Sequence, residues 1–362
     1  MTGTDGDLSV EMGADVRQRL ASMAARRGAV GVQYLVVRDG QVWLEHCHGL
    51  ADAALARPVT PQTTFNAYSI TKTFTAAAVI ALAEAGRLDL GAPIGIAAGV
   101  EGLEAYGSVR DTLVHRAGFR NPLPLRWIHR EGAHASFDEA GFVGAQVAAL
   151  RGSRRRSGSA YSNVGYLLLG LAIERAWRGS YAQAVQNLVI DPLHVYNDEH
   201  LGFTIEHPEL HAHGHLRRLG LMDLILGCFI NRSAIVQGVA DGWVCLHLHH
   251  VNGSAYGGLM ANVRGLARFG QAVIGNGAGM LPKVSERLLD IVPGARPARS
   301  LGWFSGGLGR SHWFAHAGGG LGYYGELRLY PELGVVSCLL TNGYGLSDVR
   351  CLDYIDAAWL GS

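Results

Sequence analysis

A chain of 362 residues, 48% hydrophobic and 17% charged, can bury a sizeable core, so we expect one large domain or two closely packed ones. A net charge of +1 provides no long-range field for nucleic acid or an anionic membrane, and the short basic cluster at 151–158 is mixed with serine and glycine. We therefore expect no nucleic-acid partner and no membrane contact.

The first predicted elements are a helix and two strands. Residues 9–27 have helical periodicity, and two apolar segments flank Asp39-Gly40, a strong signal for a two-residue hairpin. The N-terminal residues are acidic and polar, unlike a signal peptide, and no segment approaches the ~18 apolar residues of a membrane span. If Met1 is the native start, these features favour a cytoplasmic location.

Helices are predicted from about residue 70 to residue 190. The alanine- and leucine-rich segment after Ser69 closes at Gly86, which indicates a helix with a glycine stop and places Ser69 at or just inside its N-terminus. Further helical segments follow at 108–118, 136–150, 163–177 and 181–190. The sequence between them shows no alternation of apolar and polar residues that would predict a strand.

Strand patterns return near the C-terminus. Residues 195–256 are less regular, and we interpret them as an insertion; helical periodicity returns at 262–275. Residues 322–342 then predict two strands around a turn at 331–334, followed by a helix from about 348 to 360.

The order of the elements predicts an α/β (α+β) fold. Strands lie at both ends of the chain and helices lie between them, so an antiparallel sheet made from the two chain ends is expected. We predict a sheet domain from residues 1–66 and 296–362, and a helical domain from residues 67–295 that contains the insertion at about 195–256.

The insertion holds eight of the 16 histidines and an apolar segment. Histidines 211, 213 and 215, and then 247 and 249, recur at period two, so on strands they would share a face and could hold zinc. No H-E-x-x-H motif and no carboxylate at a metal-ligand spacing accompanies them, and no other signal predicts strands there. We expect no metal and no cofactor. The apolar segment 219–230 predicts a buried helix or, alternatively, the wall of an acyl pocket or a contact with lipid.

The five widely spaced cysteines lie among apolar residues, which indicates buried thiols rather than a disulfide framework.

Ser69 and Lys72 form the first candidate catalytic pair. Lys72 and Lys283 are the only lysines among 31 basic residues. Residues three apart share a helix face, so the amine of Lys72 would reach the hydroxyl of Ser69 and could take its proton if burial or a neighbouring cation lowers its pKa. Arginine cannot lose a proton in this way. Chance alone supplies a Ser-x-x-Lys pair in roughly one such chain in ten, so the pair needs support from other residues.

Two later segments provide that support. Tyr161-Ser162-Asn163 lies at a loop-to-helix junction, and His316-Ala317-Gly318-Gly319 enters a predicted strand. Alone, the first is compatible with an ordinary asparagine N-cap. The second resembles a phosphate loop only superficially, since it precedes a strand and lacks the terminal GK[ST].

In this order the three motifs resemble those of the penicillin-recognising serine hydrolases, the group of class C β-lactamases, serine D,D-peptidases, D-aminopeptidases and β-lactamase-like (family VIII) esterases. The flanking segments resemble that family as well, and residues 195–256 are the part without a clear match. The resemblance implies a β-lactamase/transpeptidase-like fold.

The resemblance also assigns roles to the motif residues. Ser69 would be the nucleophile, Lys72 the group that activates it, and Tyr161 a partner base that titrates together with the lysine. For Tyr161 to accept a proton, the lysine ammonium would have to favour its phenolate. Asn163 would hydrogen-bond the substrate and Lys72.

The third motif completes the expected site. The backbone N–H groups of Ser69 and Gly319 would form the oxyanion hole, and His316 and Gly318 would contact the substrate. β-Lactamases of this group usually have lysine where His316 stands. Because histidine is largely neutral at pH 7, this difference lowers the expectation of β-lactam hydrolysis.

The sequence therefore predicts an intracellular carboxylesterase that cleaves small or medium acyl esters through an acyl-serine intermediate. A D,D-peptidase- or D-aminopeptidase-type amidase, or a weak β-lactamase, is the alternative. A non-catalytic binding or assembly scaffold is a second alternative. The expected partner is a small-molecule acyl substrate, and no oligomeric state is predicted.

Overall fold

The structure is a computed structural model that describes residues 5–27, 29–121, 127–151, 155, 157–221, 223, 232–275, 282–295, 297–343 and 351–361. Most of the apolar segment 219–230, Cys228, part of the basic cluster and the predicted start of the last helix lie outside these residues. Cys245 and Cys338 are buried thiols, as predicted, whereas Cys47 is half-buried.

The helices lie mainly between the two groups of strands that form the large sheet. They are α1 (Asp5–Arg27), α2 (Thr71–Glu84), α3 (Ile94–Ala98), α4 (Val109–Leu113), α5 (Glu139–Ala148), α6 (Asn163–Trp177), α7 (Tyr181–Val185), α8 (Arg232–Ile235), α9 (Ser254–Gly257), α10 (Val263–Val273), α11 (Pro282–Leu289) and α12 (Cys351–Leu360).

Within the described ranges, the strands form one large sheet and three small ones. They are β1 (Gly31–Arg38), β2 (Gln41–Asp52), β3 (Arg57–Pro58), β4 (Phe65–Asn66), β5 (Ile128–Arg130), β6 (Leu201–Gly202), β7 (His215–Arg217), β8 (Val236–Ala240), β9 (Trp243–Leu246), β10 (His249–Val251), β11 (Met260–Ala261), β12 (Arg299–Ser300), β13 (Trp303–Leu308), β14 (Ser311–Gly320), β15 (Tyr323–Tyr330) and β16 (Val335–Thr341).

The large sheet joins the two ends of the chain. Its eight strands run in the order β12-β13-β14-β15-β16-β1-β2-β3, and neighbouring strands are antiparallel. This arrangement confirms the predicted fold class. The turn between β1 and β2 has left-handed backbone at Asp39 (φ 48°) and Gly40 (φ 78°), as the Asp-Gly signal predicts.

Each face of the sheet is covered by helices. Alternate residues of β1 point to opposite faces: Val32, Tyr34 and Val36 pack with α1 and α12, whereas Leu35 and Val37 belong to the larger core on the other side. Helix α10 packs on that second side, against β1, β15 and β16. The proposed boundaries between a sheet domain and a helical domain stay a prediction.

The structure corrects two expectations about the middle of the chain. Strand β5 interrupts the part predicted to be helical, and it pairs with β10. His215 and His249 lie on strands β7 and β10, where no strand was expected. Each of these three strands has three residues, too few for an alternating pattern to be visible in the sequence. Among the described residues, no helix has the length and apolar character that crossing a membrane requires.

Candidate active site

Ser69 lies in a single 3₁₀ turn, Tyr68–Ile70, that leads directly into α2. Lys72 is the second residue of α2, so it lies one turn beyond the serine on the same face. Its Nζ is 2.9 Å from Ser69 Oγ and donates a second hydrogen bond to the carbonyl of Tyr256 at 2.8 Å. Ser69 remains partly exposed, so a substrate can reach its hydroxyl.

The environment of Lys72 favours a neutral amine. The side chain is fully buried, and no carboxylate of the described residues forms an ion pair with it. Burial therefore holds the pKa of Lys72 well below its usual value. A neutral Nζ carries a lone pair, so the Ser69 hydroxyl can donate its proton to it.

Tyr161 also lies near Ser69 and Lys72. Lys72 Nζ lies 4.9 Å from the centre of the Tyr161 ring, and an interaction with the Ser69 side chain partly offsets the effect of burial on the pKa of Tyr161. Burial raises the pKa of Tyr161 above its usual value. The expected phenolate is therefore not supported: burial penalises the charges of both groups, which favours a neutral lysine and a neutral phenol.

Asn163 begins α6, and Ser162 caps the helix by accepting a hydrogen bond from Gly165 N at 3.1 Å. The Oδ1 atom of Asn163 is buried without a hydrogen-bond partner. The structure contains no hydrogen bond between Asn163 and Lys72, contrary to the expectation, and the oxygen remains available to a donor.

His316 lies within β14 and is buried beside Tyr161, with 6.3 Å between the ring centres. Its Nδ1 donates to the carbonyl of Ala317 at 2.8 Å, which leaves Nε2 as an acceptor without a partner. Burial lowers the pKa of His316 to about 3. The ring is therefore neutral at pH 7, as the sequence predicts.

Arg299 was missed by the sequence analysis. Its guanidinium donates to the carbonyl of Val114 at 3.1 Å and lies 4.7 Å from the centre of the Phe304 ring. Its charge partly opposes the rise that burial causes in the pKa of Tyr161, and it adds to the fall that burial causes in the pKa of His316. Nothing in the sequence distinguishes this buried arginine from the exposed ones, because its burial depends on how β12 packs.

His115 was missed as well. Its ring packs against that of Tyr161, tilted by 35° with 4.4 Å between the centres, and its Nδ1 accepts a hydrogen bond from Ser162 N at 3.2 Å. Since a backbone N–H can only donate, the Nδ1 atom is unprotonated. His115 thus holds the loop that carries Tyr161. In the sequence, only its position in the predicted helical segment 108–118, which precedes the Tyr161 motif, could have indicated a role near the site.

Strand β14 touches the turn that holds the nucleophile. A Cβ atom at Gly318 would lie 2.1 Å from the carbonyl oxygen of Ala67 and 2.8 Å from Ser69 N, so only glycine fits there. Gly319 follows and is exposed. The strand therefore runs past Ser69 N at close range, and the role of the Gly319 N–H in the oxyanion hole stays a prediction.

The histidines of the insertion are bound to separate partners. His211 Nδ1 is hydrogen-bonded to Thr64 Oγ1 at 2.8 Å, and His249 Nε2 to Tyr68 at 3.0 Å. Within the described part of the chain, no group of three or more histidine, cysteine or carboxylate side chains is placed to hold a metal ion.

The Beta-lactamase family model matches residues 16–358. This chain belongs to the β-lactamase family. The match extends over most of the chain and confirms the resemblance that the three motifs indicate.

Two curated proteins are similar to parts of this chain at low identity. Esterase EstB of Burkholderia gladioli is 30% identical over 226 residues, which are 53% of this chain and 54% of that protein. The chain therefore spans about half the length of this curated relative, and 34% of another, Protein flp of Staphylococcus aureus.

Two solved structures show the shared β-lactamase-family fold. The octameric penicillin-binding protein homologue from Pyrococcus abyssi superimposes with a TM-score of 0.75 at 22% identity, covering 96% of this chain and 77% of that one. D-amino acid amidase from Ochrobactrum anthropi SV3 gives a TM-score of 0.74 at 20% identity, covering 97% and 99%.

Proposed function

We propose that this member of the β-lactamase family is a serine hydrolase, and specifically a carboxylesterase that cleaves small or medium acyl esters. The observation that carries the proposal is the contact of 2.9 Å between Lys72 Nζ and Ser69 Oγ, made by a buried lysine whose pKa is lowered by burial. A lysine of this kind is a base at neutral pH, and an adjacent base is what activates a serine hydroxyl.

The geometry supports an acyl transfer in two steps. Ser69 Oγ attacks the ester carbonyl while its proton passes to Lys72 Nζ, and the carbonyl oxygen becomes an oxyanion near Ser69 N–H. As the intermediate collapses, the bond to the leaving oxygen breaks and that oxygen takes a proton. Tyr161 can supply this proton from its neutral hydroxyl and be re-protonated by Lys72. Water then attacks the acyl-serine by the reverse route, which releases the acid and restores Ser69.

Two features support an ester as the substrate. His316 is neutral, so it does not offer the cation that suits a β-lactam carboxylate. The curated relative from Burkholderia gladioli is named an esterase. Arg299 does provide a positive charge nearby, but its guanidinium is engaged by the Val114 carbonyl and the Phe304 ring.

An amidase that acts on amino-acid amides is the second candidate. Asn163 Oδ1 and His316 Nε2 are buried acceptors without partners, and they would suit a substrate that carries an amine or amide donor. The similarity to a D-amino acid amidase concerns the fold, so this candidate depends on those two acceptors. A weak β-lactamase activity and a cytoplasmic location also stay predictions.

One preparation can test these alternatives. The wild-type protein, Ser69→Ala and the control Ser311→Ala are compared on p-nitrophenyl esters of increasing chain length, D-alanyl amides and nitrocefin. We expect ester hydrolysis in the wild type and in Ser311→Ala, and none in Ser69→Ala with an unchanged circular dichroism spectrum. Ester hydrolysis at the wild-type rate in Ser69→Ala would refute the proposal, and faster turnover of amides than of esters would favour the amidase.

A fluorophosphonate probe tests the alternative of a non-catalytic scaffold. The probe reacts covalently with an activated serine, and the labelled peptide is identified by mass spectrometry. Label on the peptide that contains Ser69 supports an enzyme. Absence of label in a folded protein supports the scaffold.

A further inference from the structure

Tyr68, the residue before the nucleophile, has an uncommon backbone conformation. Its φ of 45° lies in the left-handed region, which a residue with a large side chain rarely adopts. Such conformations persist where the surrounding structure holds them, and they cluster at functional sites. The peptide bond after Tyr68 contains the N–H of Ser69, so the backbone angles of Tyr68 determine where this predicted oxyanion donor points.

The carbonyl of that peptide bond is held on one side. Thr71 Oγ1 donates a hydrogen bond of 2.5 Å to Tyr68 O, and the same hydroxyl accepts one of 3.0 Å from Leu259 N. Because a peptide unit is planar and its C=O and N–H point in opposite directions, a fixed carbonyl also fixes the N–H. Thr71 therefore orients Ser69 N–H through the peptide plane.

The side chain of Tyr68 is held by His249. The two are 3.0 Å apart, from the phenol oxygen to Nε2, and His249 Nδ1 lies 3.0 Å from the carbonyl of His247. A carbonyl only accepts, so Nδ1 carries the proton and Nε2 is the acceptor for the Tyr68 hydroxyl. Burial lowers the pKa of His249 to about 4, so this lone pair is retained at neutral pH.

The position of His249 is itself fixed. Asn66 Nδ2 donates to the carbonyl of His249 at 3.0 Å, and β10 pairs with β5 through this residue. His249 is almost fully buried, with its ring against that of Tyr323 at 5.5 Å between centres. The acceptor of the Tyr68 hydroxyl, His249 Nε2, therefore belongs to a buried side chain whose backbone is held in a sheet.

Strand β14 leaves room for the Tyr68 ring. A Cβ atom at Gly320 would lie 2.2 Å from the ring, so the aromatic side chain fits only because this residue is glycine. Gly319, the second predicted oxyanion donor, is its neighbour in the chain. The Tyr68 ring thus packs against β14, the strand that carries Gly319 N–H. The backbone of Tyr68 forms the peptide bond that contains the other predicted donor, Ser69 N–H.

We propose that Tyr68 and His249 are positioning residues that hold the two oxyanion donors, Ser69 N–H and Gly319 N–H, in the arrangement that the transition state needs. Neither residue contacts the reacting atoms. The hydrogen bond between them fixes the Tyr68 ring against β14 and thereby the peptide that contains Ser69 N–H. This inference rests on the proposed serine-hydrolase function.

The test compares variants that remove or restore this hydrogen bond. Tyr68→Phe and His249→Leu remove it, whereas His249→Gln keeps an acceptor near the position of Nε2. Tyr34→Phe is the matched control, because Tyr34 is a buried tyrosine whose hydroxyl is bound to Asp356 on the opposite face of the sheet. For each variant, kcat and KM for a p-nitrophenyl ester, the rate of fluorophosphonate labelling and the affinity for an alkyl boronic acid are measured.

We expect Tyr68→Phe and His249→Leu each to lower kcat about 10-fold with little change in KM, because preorganised donors act on the transition state. The affinity for the boronic acid, which forms a tetrahedral adduct, should fall by the same factor. The double variant should lose no more than either single one, since both remove the same bond. His249→Gln should recover most of the activity.

Several outcomes would overturn the inference: an unchanged kcat in Tyr68→Phe, full additivity in the double variant, or an equal loss of kcat in Tyr34→Phe. If Tyr68→Phe does not fold, Thr71→Val and Thr71→Ser test the same peptide, and only the valine variant should lose activity. If the wild type is labelled but hydrolyses no substrate, the proposed function fails and the labelling rates decide the inference. If it is not labelled, both fail.

Discussion

Lys72 has an amine that is surrounded by aromatic rings and has no ion-pair partner among the described side chains. Because burial lowers its pKa, we expect kcat/KM for esters to rise with pH in a single ionisation well below the usual lysine value of 10.5. The sign follows from the mechanism, since only the neutral amine accepts the proton of Ser69. The measurement is a kcat/KM profile between pH 5 and pH 9.

Substitution of the two lysines tests this interpretation. Lys72→Arg keeps the positive charge but cannot release a proton, so ester hydrolysis should fall by about 10³-fold or more at every pH. Lys283, the other lysine of the chain, is exposed in α11, and Lys283→Arg should leave the profile unchanged. A Lys72→Arg variant that keeps the rising pH profile would show that the ionisation belongs to another group.

Tyr161 is expected to act as a general acid for the leaving alcohol, because its hydroxyl is neutral and interacts with the Ser69 side chain. Tyr161→Phe should therefore lower kcat/KM about 10²-fold for alkyl esters, whose alkoxide needs a proton. The loss should be smaller for p-nitrophenyl esters, since p-nitrophenolate leaves without one.

Tyr166→Phe is the matched control for this prediction. Tyr166 is buried near Lys72 as well, but its hydroxyl donates to the carbonyl of Leu113 at 3.0 Å rather than to the nucleophile. Removing it should affect stability more than the preference for a leaving group. Equal losses on both ester classes in Tyr161→Phe would argue against the general-acid role.

At the scale of elements, the close packing of β14 against the Ser69 turn carries the next prediction. Gly318→Ala would place a Cβ atom 2.1 Å from the carbonyl of Ala67, so strand and turn must separate. We expect a loss of about 1–3 kcal/mol in the free energy of unfolding, together with a loss of ester hydrolysis that exceeds the fraction unfolded. Urea denaturation and kcat measured on the same sample separate the two effects.

Gly307→Ala provides the comparison within the neighbouring strand β13. A Cβ atom there meets only Ser311 O at 3.5 Å, which is an ordinary contact. This variant should keep its activity and stability. Similar losses of activity in both variants would mean that the hairpin as a whole, rather than its contact with the Ser69 turn, matters for catalysis.

The elements with strong local signals could be predicted from the sequence. The Asp39-Gly40 hairpin, helix α2 and the pair β15–β16 all have clear patterns of turn residues or hydrophobic periodicity. Strands β12 and β13 were not predicted, because β12 has two residues and β13 contains Gly306 and Gly307. Whether such a short segment forms a strand depends on the segment with which it pairs in the folded chain.

The same distinction applies to the site. Three motifs could be recognised because their residues recur in a fixed order, whereas the orientation of Tyr68 and the burial of His115 and Arg299 depend on tertiary packing. The protonation of Tyr161 was also beyond the sequence. A nearby lysine favours a phenolate only if its amine is charged, and burial of Lys72 reverses this condition.

At the scale of the whole molecule, the site lies where the helices meet the sheet. Ser69 and Lys72 come from the turn before α2 and from α2 itself, Tyr161 precedes α6, and His316 belongs to β14 of the large sheet. The site is therefore complete only when strand β14 packs against the turn that precedes α2. We infer that conditions which destabilise the fold through its buried polar groups also remove activity.

Buried neutral histidines are expected to make the fold sensitive to acid. Burial lowers the pKa of His215 and His249 to about 4 and that of His316 to about 3, compared with a usual value of 6.5. Between pH 6.5 and pH 4 the unfolded chain therefore binds more protons than the folded one, so stability falls as the pH is lowered. His250 is not counted, because its contact with Glu131 favours the charged ring and opposes the effect of burial on its pKa.

Glu326 acts in the opposite direction but does not cancel this effect. Burial raises its pKa to about 7, so its contribution to stability is present at low pH and is lost as the pH rises towards 7. His115 and His211, whose pKa burial also lowers, add to the effect of the three histidines, and Asp356, whose pKa burial raises, adds to that of Glu326. The histidines outnumber the carboxyls, and each group contributes up to about 1.4 kcal/mol per pH unit. We therefore expect the free energy of unfolding, measured with urea, to fall by about 2–4 kcal/mol between pH 6.5 and pH 5.

Single variants separate the two contributions. His215→Gln should make the slope shallower by roughly one proton, about 1.4 kcal/mol per pH unit, and Glu326→Gln should make it steeper by a similar amount. His207→Gln is the control, because His207 is exposed and its replacement should leave the slope unchanged. A free energy of unfolding that rises on acidification would mean that Glu326 and other buried carboxyls outweigh the histidines. In that case a slope that becomes shallower in Glu326→Gln would identify the group responsible.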